Sequence, residues 1–367
     1  MIHRPALLFA TSGHSGVDRV VANLLPEFAQ SGYSFDLLQL KGHGPYLDSV
    51  PGNITVKRLP SGSKRTVLPA LAWYLRRIQP RVLLTANHPL NRAALLARRL
   101  TGARTRICIR MGMSLSAKGA NMKARDRDAL FASMRRWYPL ADAVIAPSEG
   151  VGEDLSSIAG VSQDRVHVIR NPIVTRDFDS LSRERPDHPW LRDADTPVIL
   201  SVGSLEPRKD FSTLIRAFAD IRARRACRLI ILGEGREREG LLRLAKELGV
   251  ERDVDLPGFV RNPYPYMRNA AVFVLSSRRE GASAVIVEAL ACGTPVVSTD
   301  CPSGPAETLQ NGRVGKLVPV GDPEVMARDI ERTLDSPSQP AFLQEAASEH
   351  RADLSAKKYL RAMGLEE

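Results

Sequence analysis

Thirteen short apolar runs recur along the chain, and most are followed by a stretch with helical periodicity. In the first half PALLFA, SFDLLQL, ITVKRL, RVLLTA, RICIRM, DAVIAPS and RVHVIRN alternate with patterns such as VDRVVANLLPEFAQSG and VLPALAWYLRRIQ, each bounded by Gly, Pro or Ser. Short buried runs joined through helices predict a parallel α/β sheet. Pro26 is expected to interrupt and kink the first helix, because its ring removes a backbone donor. From 173 to 197 the sequence turns polar and proline-bearing and reads as a linker. The alternation then restarts with PVILSVGS, CRLIILGEG, VDLPGFV, AVFVLSS, PVVSTD and VGKLVPV, separated by further helices. Two doubly wound domains are therefore expected, 1–174 and 175–346. Open sheets of this kind bind ligands beyond the carboxyl ends of their strands, so two facing sheets would place a site in the cleft between them.

Composition removes several classes. The 367 residues are 43% hydrophobic and 25% charged, as in soluble globular proteins. No apolar run approaches the roughly 18 residues of a membrane span, and the N-terminal apolar stretch is too short for a signal peptide, so a cytoplasmic protein is expected. Cys108, Cys227, Cys292 and Cys301 stand apart, with neither zinc spacing nor a disulfide framework, and are expected as buried reduced thiols. Charge is divided unevenly. Residues 1–172 hold 24 Lys+Arg against 11 Asp+Glu, a balance of +13, leaving 28 against 30 in the remainder, a balance of −2. A one-sided field of this kind suits an anionic partner: a phosphate-bearing acceptor, an anionic membrane surface or nucleic acid. An arginine-rich surface with no partner is the alternative.

Chemistry is expected at the strand ends. After the first strand, TSGHSGVDR carries Gly13 and Gly16 just before a helix N-terminus, where free amides and the helix dipole favour an anion. SVGSLEPRKDF follows the first strand of the second domain and offers Arg208 and Lys209, the lysine being a compact charge suited to a diphosphate. The stretch SSRREGASAVIVEALACG sets Glu280 before the amides of Gly281, Ala282 and Ser283, and Glu288 two turns into the helix they open. Such amides cradle phosphate, and carboxylates accept hydrogen bonds from sugar hydroxyls or from the vicinal diol of a ribose. The plainer readings are an N-terminal charge complement for Glu280 and an arginine partner for Glu288.

Taken together, SGHSGVDR, VGSLEPRKDFSTLIRAF, ILGEG, PGFVRNPYPYM, EGASAVIVEALACGTPVVSTDCPSGPAE and GKLVPVGDPEVMA resemble, in that order and over nearly the whole chain, the GT-B glycosyltransferases of family 4 (GT4). The resemblance implies two facing Rossmann-like domains and retaining, hexosyl-type transfer from a nucleotide-sugar co-substrate, with no metal and no other cofactor. It implies that Lys209 binds the diphosphate and Glu280 the donor-sugar hydroxyls, helped by the Gly281, Ala282 and Ser283 backbone. Glu288 would take the ribose, Gly16 and Arg19 would line the diphosphate loop, and the backbone at Gly258, Phe259 and Val260 would receive the base. A final helix over 347–367 would cross back to the first domain. The proton of the acceptor hydroxyl would pass to a leaving phosphate oxygen.

Two departures from the family pattern stand out. Ser204 occupies a position where an arginine commonly supports the diphosphate, with Arg208 the nearest replacement. RICIRMGMS offers Arg110, Met111 and Gly112 where many members carry a histidine, leaving His88, in TANHPLN, and His14 as the nearest candidates. His88 is taken as the catalytic candidate, although a histidine at a strand end more often serves as a structural hydrogen-bonder. The Asp-x-Asp pairs at 253–255 and 126–128 are discounted as metal sites, and the ILGEG glycines as half of a dinucleotide fingerprint. The expected function is transfer of a sugar, from a UDP-sugar above other donors, to a glycan or lipid-linked glycan in cell-surface polysaccharide assembly. The work would be done in the cytoplasm or at the inner membrane face, which the basic domain would meet, and without nucleic acid. A GT-B nucleotide-sugar isomerase or hydrolase would need further acid/base residues. A non-catalytic nucleic-acid or membrane-surface binder would need aromatics interleaved with the basic residues, and aromatics are only 5%.

Overall fold

The computed structural model describes residues 4–9, 16–40, 50–62, 66–120, 122–192, 196–280, 283–302 and 304–366. The chain divides into two compact units, Met1–Thr175 with His350–Glu367, and Arg176–Glu349.

In the first unit the strands are β1 (Ala6–Leu8), β2 (Phe35–Gln39), β3 (Ile54–Arg58), β4 (Val82–Ala86), β5 (Arg106–Arg110), β6 (Ala143–Ala146) and β7 (Val166–Val168). They form one parallel sheet in the order β3-β2-β1-β4-β5-β6-β7. The strand order reverses between β1 and β4, so two neighbouring strands send their crossover helices to opposite faces and a crevice opens at their carboxyl ends. Each face carries a core. Leu71, Tyr74, Leu90 and Met134 pack on one side, and Leu24, Phe28, Phe35 and Tyr359 on the other. The helix Gly16–Ala29 runs through Pro26 without interruption, against expectation. The proline leaves the carbonyl one turn before it without its helical N–H donor, and the surrounding turns keep the helix continuous.

The last helix, Ala352–Ala362, belongs to this first unit. Tyr359 is fully buried beside Phe28, with ring centroids 6.3 Å apart. Its hydroxyl receives Nε–H of the buried Arg110 at 2.9 Å, while another nitrogen of the same guanidinium donates to Asn171 Oδ1 at 2.7 Å. Ser355 Oγ adds a bond to the Arg170 carbonyl at 2.9 Å. Arg110 thus fastens the returning helix.

The second unit holds β8 (Val198–Val202), β9 (Arg228–Leu232), β10 (Val254–Gly258), β11 (Val272–Leu275), β12 (Val296–Thr299) and β13 (Lys316–Val318), parallel throughout in the order β10-β9-β8-β11-β12-β13. The topology is that of the first sheet without its seventh strand, and the reversal falls between β8 and β11. The segment expected as a linker is folded over much of its length. Phe178, in the helix Phe178–Ser182, is buried and lies 4.4 Å from the Tyr264 ring, and the buried His188 bonds Asp255 Oδ2 at 2.9 Å. Its few apolar residues suffice to dock it, which a polar composition conceals.

Candidate active site

The crevice of the second unit is built from the backbone upward. Beyond β8 and β9 the chain continues in register, with Gly203 N–H on Leu232 O at 2.9 Å, Leu205 N–H on Glu234 O at 2.9 Å and Gly233 N–H on Gly258 O at 2.8 Å. The close approach requires glycine. Gly233 has φ +140°, and a Cβ there would stand 1.9 Å from Gly203 O, while one on Gly235 would stand 2.4 Å from Leu205 O. The ILGEG glycines are therefore structural spacers that let the β9 loop lie along the β8 loop.

That β8 loop turns through Pro207–Lys209, and the segment after β11 pins it. Ser276 Oγ donates to Lys209 O at 2.8 Å, Arg278 N–H to Arg208 O at 2.9 Å, and Arg278 Nε pairs with Asp210 Oδ2 at 3.0 Å. Asp210, in the left-handed region at φ 49°, also accepts from Ser212 and Thr213 hydroxyls at 2.9 Å each. The consequence is a fixed Lys209. Its ammonium lies 2.5 Å from Glu280 Oε1, with both side chains only 8% exposed, and Ser277 Oγ donates to the same oxygen at 2.6 Å. A buried ion pair is costly unless its geometry and extra hydrogen bonds compensate, and here a serine supplies one. An ammonium has three donors, so Lys209 keeps capacity for an anion beyond Glu280.

The remaining expected donor residues differ in burial and in partners. Arg208 is exposed and reaches Ser204 Oγ at 3.3 Å. Ser283 precedes the helix Ala284–Ala291, and its hydroxyl is buried with no partner among the described residues. A Cβ on Gly304 would stand 2.9 Å from that oxygen. Glu288 is 1% exposed within the helix. Gly258 ends β10, followed by half-buried Val260 and by Phe259, whose ring is 78% exposed. Gly281 and Ala282 lie outside the described residues, as does His14. Gly16 opens the first helix of the other unit, with Arg19 exposed one turn on.

Sequence reasoning missed Ser276, Ser277, Arg278 and Asp210. Their signal was their place: two serines and an arginine within four residues of Glu280, and an acid directly after Lys209.

The first unit's crevice carries a different chemistry. His88 opens the helix His88–Thr101 directly beyond β4, and its Nδ1 lies 3.1 Å from Tyr138 Oη. The tyrosine is fully buried, accepts from Asn91 Nδ2 at 3.4 Å and touches Met111 Sδ at 3.2 Å; Asn91 in turn receives Thr85 Oγ1 at 2.8 Å and donates to Arg110 O at 3.3 Å. Imidazole nitrogen is a far better acceptor than a thioether, so the phenol donates to Nδ1 and Nε2 keeps the proton. Burial, then the cations Lys118 and Arg92, push the His88 pKa down to about 4. The ring is neutral near pH 7, a hydrogen-bonding group and a feeble base.

The carboxylates of the Asp-x-Asp segment at 253–255 have structural partners. Asp253 Oδ2 pairs with Arg222 at 2.7 Å and Asp255 with His188, so the Asp-x-Asp segment at 253–255 is engaged in packing its own unit. All four cysteines are free and buried, and burial pushes Cys227 and Cys301 up to about 11 and Cys108 and Cys292 to about 12. They are unreactive thiols.

A crevice at the turning point of a Rossmann-ordered sheet, with a buried lysine paired to a carboxylate at its rim, has the chemistry to suit phosphorylated, hydroxyl-rich ligands. Two family models match between them most of the chain, the glycosyl transferase 4-like domain over residues 15–172 and glycosyl transferases group 1 over residues 182–350, and the chain belongs to this glycosyltransferase family. It is 36% identical over 216 residues to the N-acetylgalactosamine-N,N'-diacetylbacillosaminyl-diphospho-undecaprenol 4-alpha-N-acetylgalactosaminyltransferase of Campylobacter jejuni, which covers 59% of this chain and 57% of that one. With the lipopolysaccharide core biosynthesis glycosyltransferase LpsE of Rhizobium meliloti it shares 35% over 213 residues, 58% of this chain and 60% of the relative. The match thus spans less than two thirds of the length of these relatives. In fold it is similar to HepE of Anabaena, solved in complex with UDP, with a TM-score of 0.76 at 18% identity over 98% of this chain and 99% of that one.

Proposed function

We propose that the chain transfers a sugar, with retention and without a metal, from a nucleotide diphosphate sugar to a glycan or lipid-linked glycan in cell-surface polysaccharide assembly. The observation that carries this reading is the buried Lys209–Glu280 pair at the carboxyl ends of β8 and β11. The lysine's remaining donors suit the diphosphate, with Arg208 beside Ser204 as a second cation. Glu280, steadied by Ser277, accepts from a hydroxyl of the donor sugar, and the Ser283 hydroxyl, without a partner among the described residues, donates to the same ligand. Glu288 takes the ribose and the backbone from Gly258 to Val260 takes the base. Two strand spacings separate β8 from β10, roughly 10 Å, comparable to the length of a nucleoside.

The reaction needs little from the protein beyond charge placement. The bond from sugar C1 to the diphosphate oxygen breaks, the nucleoside diphosphate leaves, the acceptor hydroxyl bonds to C1 on the same face, and its proton passes to a leaving phosphate oxygen. Fixed cations that meet charge as it develops lower such a barrier. His88, neutral, contributes a hydrogen bond rather than a base. UDP is favoured as the carrier because HepE is seen with it, and a lipid-diphosphate acceptor because the Campylobacter relative's name records one. No helix among the described residues is long and apolar enough to cross a membrane; with +13 on residues 1–172, the reading includes peripheral attachment to an anionic inner leaflet from the cytoplasmic side.

The test is transfer from a panel of UDP-, GDP- and ADP-sugars to undecaprenyl-diphosphate-linked acceptors, with the anomeric configuration of the product read by NMR. Retention of configuration, undiminished by chelator, is expected. Inversion, or activity restored only by a divalent ion, would overturn those parts of the reading.

A further inference from the structure

The first unit has a second concavity, at the opposite edge of its sheet from His88. It is lined by residues that precede β1, β2, β4 and β5, among them Arg4, Tyr33, Arg81, Arg104 and Thr105, and has a volume of about 900 Å³. Topology gives no reason for a ligand there, since doubly wound sheets bind at their carboxyl ends. The lining nevertheless contains three arginines and no carboxylate.

Sequence makes that imbalance systematic. Between Asp48 and Asp126 the chain carries sixteen Lys and Arg and no Asp or Glu. Part of this charge has a local use. The helices Val67–Ile78 and His88–Thr101 end at this edge, where the dipole favours cations, and each has its own arginines in the last turn, Arg76 and Arg77 in one, Arg98 and Arg99 in the other. Arg4, Arg81 and Arg104 are additional to these. Arg4 spends one donor on Thr55 Oγ1 at 3.2 Å and Arg81 one on Gly364 O at 2.9 Å, while exposed Arg104 has no partner among the described residues. Most of fifteen guanidinium N–H groups, about five per arginine, are left over.

A second observation points the same way. Thr105, 3% exposed, lines the concavity with a hydroxyl that is buried and bonded to nothing among the described residues. An orphaned buried hydroxyl is destabilising, and a χ1 rotation toward a ligand oxygen relieves it. We infer that this concavity is a phosphate-binding site, separate from the donor crevice, in which Arg4, Arg81 and Arg104 clasp a phosphoryl group and Thr105 supplies a hydroxyl. The same chemistry is offered by a free phosphorylated metabolite and by a phospholipid headgroup.

Calorimetric titration with inorganic pyrophosphate, alongside co-sedimentation with phosphatidylglycerol-containing and pure phosphatidylcholine vesicles, distinguishes the two sources. Arg104→Gln, which breaks no hydrogen bond or ion pair among the described residues, should lower affinity for the bound probe about tenfold with an unchanged melting temperature, and Arg4→Gln/Arg104→Gln more. Thr105→Val should melt no lower than the parent without ligand and bind more weakly. Lys209→Ala, which acts on the donor crevice, should leave the Arg104-dependent binding intact, so failure here is separable from failure of the proposed activity. Sensitivity of pyrophosphate binding alone identifies a free ligand, and equal sensitivity of anionic vesicle binding a headgroup. If neither probe binds, or if Arg104→Gln and Thr105→Val bind both as the parent does, the inference is wrong.

Discussion

The two units carry the same strand order through six strands and open a crevice at the same topological point, yet they furnish it oppositely. After β8 and β11 stands a buried ion pair, Lys209 with Glu280, fixed by serine hydroxyls and an arginine. After β4 stands a neutral relay, Thr85 to Asn91 to Tyr138 to His88, with its histidine held uncharged by burial. Topology therefore decides where a ligand goes, and side chains decide what it is. A charged pair suits a diphosphate leaving group, whereas a neutral relay suits a hydroxyl that must be oriented and left undisturbed in charge.

The largest effect that would sharpen the contrast comes from Lys209→Ala. Loss of one preorganised charge should lower kcat by 100-fold or more, on the order seen for a lost oxyanion donor. It also strands a buried carboxylate, so urea denaturation should show roughly 3–5 kcal/mol less stability. Replacing both partners, Lys209→Met with Glu280→Leu, should recover most of that stability and none of the turnover. A double variant as unstable as the single one would show that the pair is not what the fold tolerates at a cost.

Ser277→Ala comes next. A hydrogen bond to a charged acceptor is worth about 1.5–3 kcal/mol, and its loss should reduce kcat about tenfold while leaving nucleotide affinity nearly intact. A large fall in UDP affinity instead would assign Ser277 to binding rather than to steadying Glu280. Ser283→Ala should weaken donor binding several-fold without lowering the apo melting temperature, because the hydroxyl it removes has no partner among the described residues.

The smallest effect belongs to the neutral crevice. His88→Gln should leave donor affinity unchanged and cost less than tenfold in turnover at neutral pH. Its signature is in the pH dependence of stability. The folded pKa, about 4, lies below the ordinary value of 6.5, so between these values the unfolded chain binds the proton and the folded chain does not. Stability from this group is full above 6.5 and falls as pH drops toward 4. His88→Gln should flatten that slope in urea titrations at pH 4.5 and 7, and an unchanged slope would mean the histidine is not held neutral.

Much of this was legible before any coordinates. All thirteen strands coincide with the runs read as apolar; the central ones are largely apolar because parallel strands buried on both faces need such sequence, while the edge strands β3 and β7 carry polar residues. Lys209 and Glu280 were picked out from separate loops, one as a diphosphate cation and the other as a sugar-binding carboxylate. Their contact was not visible, since it depends on a lateral adjacency of β8 and β11 that are about seventy residues apart in sequence. The pinning residues were hidden for the same reason: Asp210 and Arg278 each look like solvated surface charges until the two loops meet. The docked segment around Phe178 and His188 was misread because polarity by composition says nothing of which few residues turn inward.

The most direct test of a charged donor crevice set against a neutral one is calorimetric titration of the parent, Lys209→Ala and His88→Gln with UDP, GDP and ADP. One nucleotide, UDP before the others, should bind the parent and His88→Gln alike and bind Lys209→Ala at least tenfold more weakly. Binding that survives Lys209→Ala but fails in His88→Gln, or no nucleotide binding to the parent at all, would contradict the account.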